Sequence, residues 1–228
     1  DVYKRQMNKS EKISGCIVGE PTNVNQMGDT IKTGRRGSFT GTLTVKGIQG
    51  HVGYPNLAEN PINSLLKMLE PFAKIYLDKG TNEFQPSSVM ITTIDVNNDA
   101  SNVIPGEVKA KFNIRFNTLH SVSSLQSMLK NQFDAITKNY QFDYFCNAEP
   151  FLTSDEELKS TLQNAITKVV NVNPLESTTG GTSDARFITK LCPVIEFGLV
   201  GKTMHKVDEN VDIDDIMKLT NIYNKFLH

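Results

Sequence analysis

The 228-residue chain carries 24 basic and 25 acidic residues, a net charge of −1. That length allows one or two domains with cores of their own, and the balanced charge without a basic stripe argues against nucleic acid or an anionic membrane surface as partner. No apolar run approaches the ~18 residues that cross a bilayer and no signal-peptide pattern opens the chain.

Cys16, Cys146 and Cys192 are odd in number and show no Cys-x-x-Cys spacing, the pattern of buried thiols in a reduced, cytoplasmic protein. The opening Asp1-Val2-Tyr3-Lys4-Arg5-Gln6 lacks an initiator methionine, and only a short stretch precedes the first core strand. The expectation is the back part of a longer protein.

In chain order, Ile13 to Val18 reads as a short buried strand ended by Gly19-Glu20-Pro21-Thr22, and Thr30 to Arg36 as a second one running into a turn. From Ser38 a separate unit begins. Phe39, Gly41, Leu43 and Val45 alternate with polar residues, the period of a half-buried strand. After a glycine-flanked loop, Ile62, Leu65, Leu66, Leu69 and Phe72 fall at helical spacing, opened by Asn60-Pro61, which predicts a helix over Pro61–Leu77. Strands follow at Ser88–Val96, with Val89, Ile91, Thr93 and Asp95 on one side, and at Val108–Phe116. A helix over Leu125–Asn139, capped by Ser121 or Ser123, and a strand over Phe142–Cys146 complete the order βαββαβ, a ferredoxin-like split arrangement. Beyond it lie a helix from Asp155 capped by Ser154, a glycine-rich loop at 180–184, a helical turn over Ala185–Lys190, a strand over Pro193–Gly198 and a last helix from Asp212. The predicted class is α/β, with one domain (1–37 and 151–228) interrupted by an α+β domain (38–150).

Several strings suit chemistry better than packing. Gly47 to Ile62 holds His51 and Tyr54 among closely spaced glycines on a loop, where a turn with a solvated histidine is the plain alternative. Glu20 stands just past a buried strand, the edge where α/β sheets bind ligands, although it could equally cap a turn. Thr203-Met204-His205-Lys206-Val207-Asp208-Glu209 puts a loop histidine before two carboxylates that could fix its tautomer. Lys32, Arg35, Arg36 and Ser38 crowd one turn, and Arg115 lies among apolar strand neighbours; guanidinium groups pair with carboxylates in bidentate fashion, but a solvated basic face would look similar. Thr179-Gly180-Gly181-Thr182-Ser183-Asp184 leads into a helix N-terminus, a backbone arrangement that can hold an anion. His120 and His228 read as surface residues.

Gly50-His51-Val52-Gly53-Tyr54-Pro55 with Ala58-Glu59-Asn60-Pro61, together with the Gly180–Phe187 string, resembles the succinyl-diaminopimelate desuccinylases. These are dimeric two-zinc amidohydrolases related to acetylornithine deacetylases, aminoacylases and carboxypeptidases. The resemblance implies a zinc-peptidase-like catalytic domain interrupted by a lid and dimerisation domain. It also implies hydrolysis of the amide in N-succinyl-LL-2,6-diaminopimelate by metal-activated water, with two zinc ions per complete subunit and cobalt as a possible substitute.

On this resemblance Glu20 and His205 are metal ligands, each to a different ion. Lys32, Arg35, Ser38, Tyr54, Asn102, Arg115, Gly181 and Thr182 bind substrate, and His51 reaches across a homodimer to the oxyanion of the tetrahedral intermediate. Its His-x-Asp motif and catalytic Glu-Glu pair are not matched, since Glu156-Glu157 lies elsewhere. The expectation is therefore a fragment that binds zinc weakly or not at all and is inactive alone. A related N-deacylase and a non-catalytic dimerisation or binding module remain the alternatives.

Overall fold

The computed structural model describes residues 12–228; the opening hexapeptide lies outside the described residues. Two compact units divide the chain: Asp1–Arg35 with Phe151–His228, and the inserted Arg36–Pro150. The first segment supplies strands β1 (Cys16–Val18), β2 (Thr30–Lys32) and β3 (Gly34–Arg35). The insert runs β4 (Gly37–Lys46), β5 (Gly50–His51), helix α1 (Pro61–Leu69), β6 (Ser88–Asp95), β7 (Val103–Ile104), β8 (Glu107–Phe116), α2 (Val122–Asp134) and β9 (Tyr140–Ala148). The chain returns through β10 (Phe151–Leu152), α3 (Glu156–Val170), β11 (Leu175–Ser177), α4 (Ala185–Ile188), β12 (Val194–Glu196) and α5 (Ile213–Leu227).

The insert is an antiparallel sheet in the order β6-β8-β4-β9, the ferredoxin-like arrangement that the βαββαβ pattern predicted. On β8, Val108, Ala110, Phe112, Ile114 and Phe116 are buried against Leu65, Met68 and Leu69 of α1 and Leu125, Leu129 and Phe133 of α2. The period of two puts Lys109, Lys111, Asn113 and Arg115 on the opposite face. Each fully buried large side chain contributes roughly 1.5–3 kcal/mol of transfer free energy, and Phe112, with Phe72 edge-on at 5.0 Å, adds an aromatic pair.

The interrupted unit has a mixed sheet in the order β1-β12-β2-β11. β1 runs parallel to β12 and β2 parallel to β11, while β12 meets β2 antiparallel at Glu196–Lys32. Leu162, Ala165 and Ile166 of α3 and Ile222 of α5 close its core over Ile31, Ile195 and Phe197.

Several boundaries differ from the sequence reading. The first helix stops at Leu69 instead of Leu77 and becomes a 3₁₀ stretch over Glu70–Lys74, because Pro71 has no N–H to give and its ring crowds the preceding turn. α2 begins and ends earlier, with Ser121 as its cap in a reciprocal pairing with Ser124. Asp155, not Ser154, caps α3 by accepting from the Leu158 amide. On β6 the expected alternation fails after Val89: Ile91 is exposed although it is in register with Phe112, and a register shift between Ile91 and Thr93 then pairs Thr93 and Asp95 with Lys111 and Lys109 of the opposite face.

Candidate functional site

In the interrupted unit, Lys32, Arg35, Ser183 and Glu196 gather where β2, β3 and β12 meet the loop after β11. Lys32, at the end of β2, donates from Nζ to Ser177 Oγ at 2.9 Å and Thr179 Oγ1 at 2.6 Å. Arg35, on β3, donates from Nε to Glu196 Oε2 at 2.9 Å, from Nη2 to the same oxygen, and from Nη1 to the Thr179 carbonyl at 2.8 Å. The other Glu196 oxygen, Oε1, accepts from Ser183 Oγ. Arg35 is thus paired with the buried carboxylate, whereas Lys32 is bonded only to hydroxyls and feels both charges through space. Burial, and then the neighbouring Arg35 charge, push the Lys32 ammonium down to about 8, against the opposing pull of Glu196 and Asp29.

Over this cluster passes the loop 179–183. Gly180 has φ +103°, and a side chain there would collide with Arg35 Nη1, so glycine is what lets the loop approach the guanidinium. Gly181 is exposed with open space around it, and Thr182 is half-buried. The expected helix N-terminus contributes little: α4 is a single turn of four residues, too short for a useful dipole. Positive charge here comes from side chains. Glu196 was not singled out in the sequence reading and Ser183 entered it only within the glycine-loop string, yet both sit at the centre of the network.

The insert holds a second group. β5 pairs with β7, His51 opposite Val103, and the Val52 amide donates to the Asn102 carbonyl at 3.1 Å, so His51 and Asn102 share one small ribbon. The Gly53 amide donates to His51 Nδ1 at 3.0 Å, and the Tyr54 ring lies 5.7 Å from the imidazole. His51, Tyr54 and Asn102 are all exposed. On the sheet face away from the helices, Arg115 is in register with Ser38 on β4 and Ser88 on β6, and Ser38 Oγ accepts from Asn113 at 3.2 Å. Burial, and then the Arg115 charge, lower the pKa of Arg36, whose Nη1 donates to the Pro86 carbonyl at 3.0 Å.

Glu20 is half-buried just past β1, and His205 is exposed at φ +62°. Glu209 Oε2 accepts from the His205 backbone amide at 3.4 Å, so the expected carboxylate partner meets the backbone instead of the ring. Among the described residues, no three His, Cys, Asp or Glu side chains group as a metal site. Zinc sites use three or four protein donors, so the donors of this chain do not by themselves complete one. His120, read as a surface residue, is partly buried and bonded to Asp78 at 3.1 Å.

Residues 33–141 match the M20_dimer family, described as peptidase dimerisation domain. An aminopeptidase PepT from Bacillus cereus has the same fold, with a TM-score of 0.77 at 14% identity over 99% of this chain and 60% of its own. So does an M20 family metallo-carboxypeptidase from Sulfolobus solfataricus, with a TM-score of 0.75 at 17% identity over 99% of this chain and 65% of its own. The sequence is similar to the succinyl-diaminopimelate desuccinylases: the one from Pelagibacter ubique is 52% identical over 96% of this chain. The chain spans 58% of the length of that relative.

Proposed function

We propose that this chain is the carboxylate-recognising and dimerising portion of a metal-dependent amidohydrolase that cleaves N-succinyl-LL-2,6-diaminopimelate to succinate and diaminopimelate. The observation that carries the reading is the buried Lys32–Arg35 pair, of which only Arg35 is bonded to a carboxylate, beneath an exposed glycine loop. Such a cluster suits a carboxylate-terminated acyl group, and the Pelagibacter ubique relative is named for removing one. Gly181 and Thr182 would contact that acyl end from the loop. Arg115 with Ser38, and Tyr54 with Asn102, would meet the remaining polar groups of substrate.

His51 would donate from Nε2 to the developing oxyanion, a role that suits an exposed imidazole whose other nitrogen is already occupied. The match of residues 33–141 to a peptidase dimerisation domain supports a homodimer with His51 acting in the partner subunit's site. Zinc, with cobalt as substitute, is the metal we assign to the complete enzyme, which we place in the cytoplasm; Glu20 and His205 would be donors to it. When bound, the metal would supply a lowered water pKa and a polarised carbonyl. The 228 residues contain no His-x-Asp and place Glu156-Glu157 at the start of α3, so this chain alone would not turn over substrate.

The test is calorimetric titration of succinate into the purified chain, alongside a desuccinylation assay with added zinc or cobalt. Succinate binding without turnover is the expected result. Absence of binding overturns the recognition reading, and hydrolysis by the chain alone overturns its inactivity.

A further inference from the structure

Glu196 is fully buried on β12, an inner strand whose neighbours Val194, Ile195 and Phe197 are also fully buried. Replacing a buried ion pair with apolar packing is often neutral or stabilising, so stability alone is a poor reason for a carboxylate here. Its hydrogen bonds suggest a better one. Oε2 holds Arg35, whose Nη1 grips the Thr179 carbonyl at one end of the loop; Oε1 holds Ser183 at the other end. Lys32 adds a bond to Thr179 Oγ1. The loop is therefore fastened at both ends through one carboxylate, while Gly180 and Gly181 between them stay exposed.

We propose that Glu196 is a positioning residue that, through Arg35 and Ser183, holds the 179–183 loop over the cation pair in the shape that receives a substrate carboxylate. This rests on the anion-binding reading above and assigns the part of the machinery that touches no substrate. Fixing a loop in its bound geometry removes an ordering cost that binding would otherwise carry.

Charge and positioning make opposite forecasts, which gives the test its sign. Removing the Glu196 charge leaves Lys32 and Arg35 with more net positive charge, so electrostatics alone would tighten anion binding. Loss of the clamp would weaken it. The probe is succinate, titrated at pH 6.5 into the wild-type chain, Glu196→Gln and Ser183→Ala. Hydrogen exchange of residues 179–183 without ligand, and melting curves, accompany it. Expected are about tenfold weaker succinate binding in Glu196→Gln and several-fold weaker binding in Ser183→Ala, the scale of one lost hydrogen bond. Loop amides should exchange about tenfold faster in Glu196→Gln, as an opening cheaper by one such bond requires.

Unchanged or tighter binding with unchanged loop protection overturns the proposal. If Glu196→Gln does not fold, Ser183→Ala decides alone, because it leaves every charge in place. If the wild type binds no succinate, the anion-site reading fails and takes the binding role with it, whereas bound wild type with indifferent variants defeats only the positioning role.

Discussion

The backbone N–H of Gly53 donates to Nδ1 of His51 at 3.0 Å, which fixes the proton of the neutral imidazole on Nε2. That nitrogen is then a donor facing away from its own turn, the requirement for stabilising an oxyanion. Nitrogen-15 correlation spectra of the neutral ring should show Nδ1 as acceptor and Nε2 as protonated. A proton found on Nδ1 would contradict the arrangement. Where the chain takes part in turnover, His51→Ala should lower kcat by about 10²–10³-fold with little change in KM, as loss of an oxyanion donor does.

Lys32 gives a pH dependence whose sign is fixed by its burial. Its ammonium titrates at about 8, below the ordinary lysine value of 10.5, so succinate binding should weaken as pH rises through about 8. Between about 8 and 10.5 the unfolded chain binds the extra proton, so this residue makes folding stability rise with pH across that window. Lys32→Met should weaken succinate binding about tenfold at pH 7, the value of one charge-assisted hydrogen bond, and flatten its dependence through pH 8. The variant should also lose the wild type's gain in denaturant stability between pH 8 and 10. A binding profile still stepping near pH 8 in the variant would assign the titration elsewhere.

Alternation and helical spacing made the insert legible, because Phe112, Ile114 and Phe116 on one strand and Leu125, Leu129 and Phe133 on one helix are all core. Lys32 and Arg35 stood out as clustered charge within one turn. Glu196 did not: in Val194-Ile195-Glu196-Phe197 it reads as the solvent side of a strand, and its partners lie 13 and 161 residues away. An acidic residue inside an apolar run, on a strand with both faces covered, is the signal that could have found it. β11 was missed because Leu175 and Glu176 are exposed, so no buried face marks the strand. His120 was misplaced for the same long-range reason, its partner Asp78 being 42 residues earlier.

Gly180 and Gly181 separate conformational need from mere flexibility. Ala at 180 must adopt φ +103° and displace Arg35, so Gly180→Ala should cost about 1–3 kcal/mol, with a melting temperature lower by several degrees and weaker succinate binding. Gly181 has nothing within 4 Å of where a Cβ would sit, so Gly181→Ala should stay within about 0.5 kcal/mol. Equal effects at the two positions would show that the loop is not held against Arg35.

Asp78 anchors the insert's longest connection and sets an acid limit on it. Its carboxylate accepts from the Gly80 amide at 2.6 Å, the Ser87 amide at 3.1 Å, Asn117 Nδ2 at 3.0 Å and His120 Nε2 at 3.1 Å. Burial would raise its pKa, but hydrogen bonds from Ser87, Gly80 and Asn117 favour the ionised form and bring it below the ordinary 3.8. A carboxyl group depressed on folding stabilises the native state above its unfolded value, and that contribution is lost as pH falls through the folded one. Asp78→Asn keeps one acceptor but turns an NH₂ toward groups that are themselves donors, and should cost roughly 2–3 kcal/mol at pH 7. Chemical denaturation at pH 7 and pH 3 should show the gap between wild type and variant narrowing at the lower pH. A gap of equal size at both would mean that the carboxyl titrates alike in the folded and unfolded chain, and that the bonds converging on Asp78 do not favour its charge.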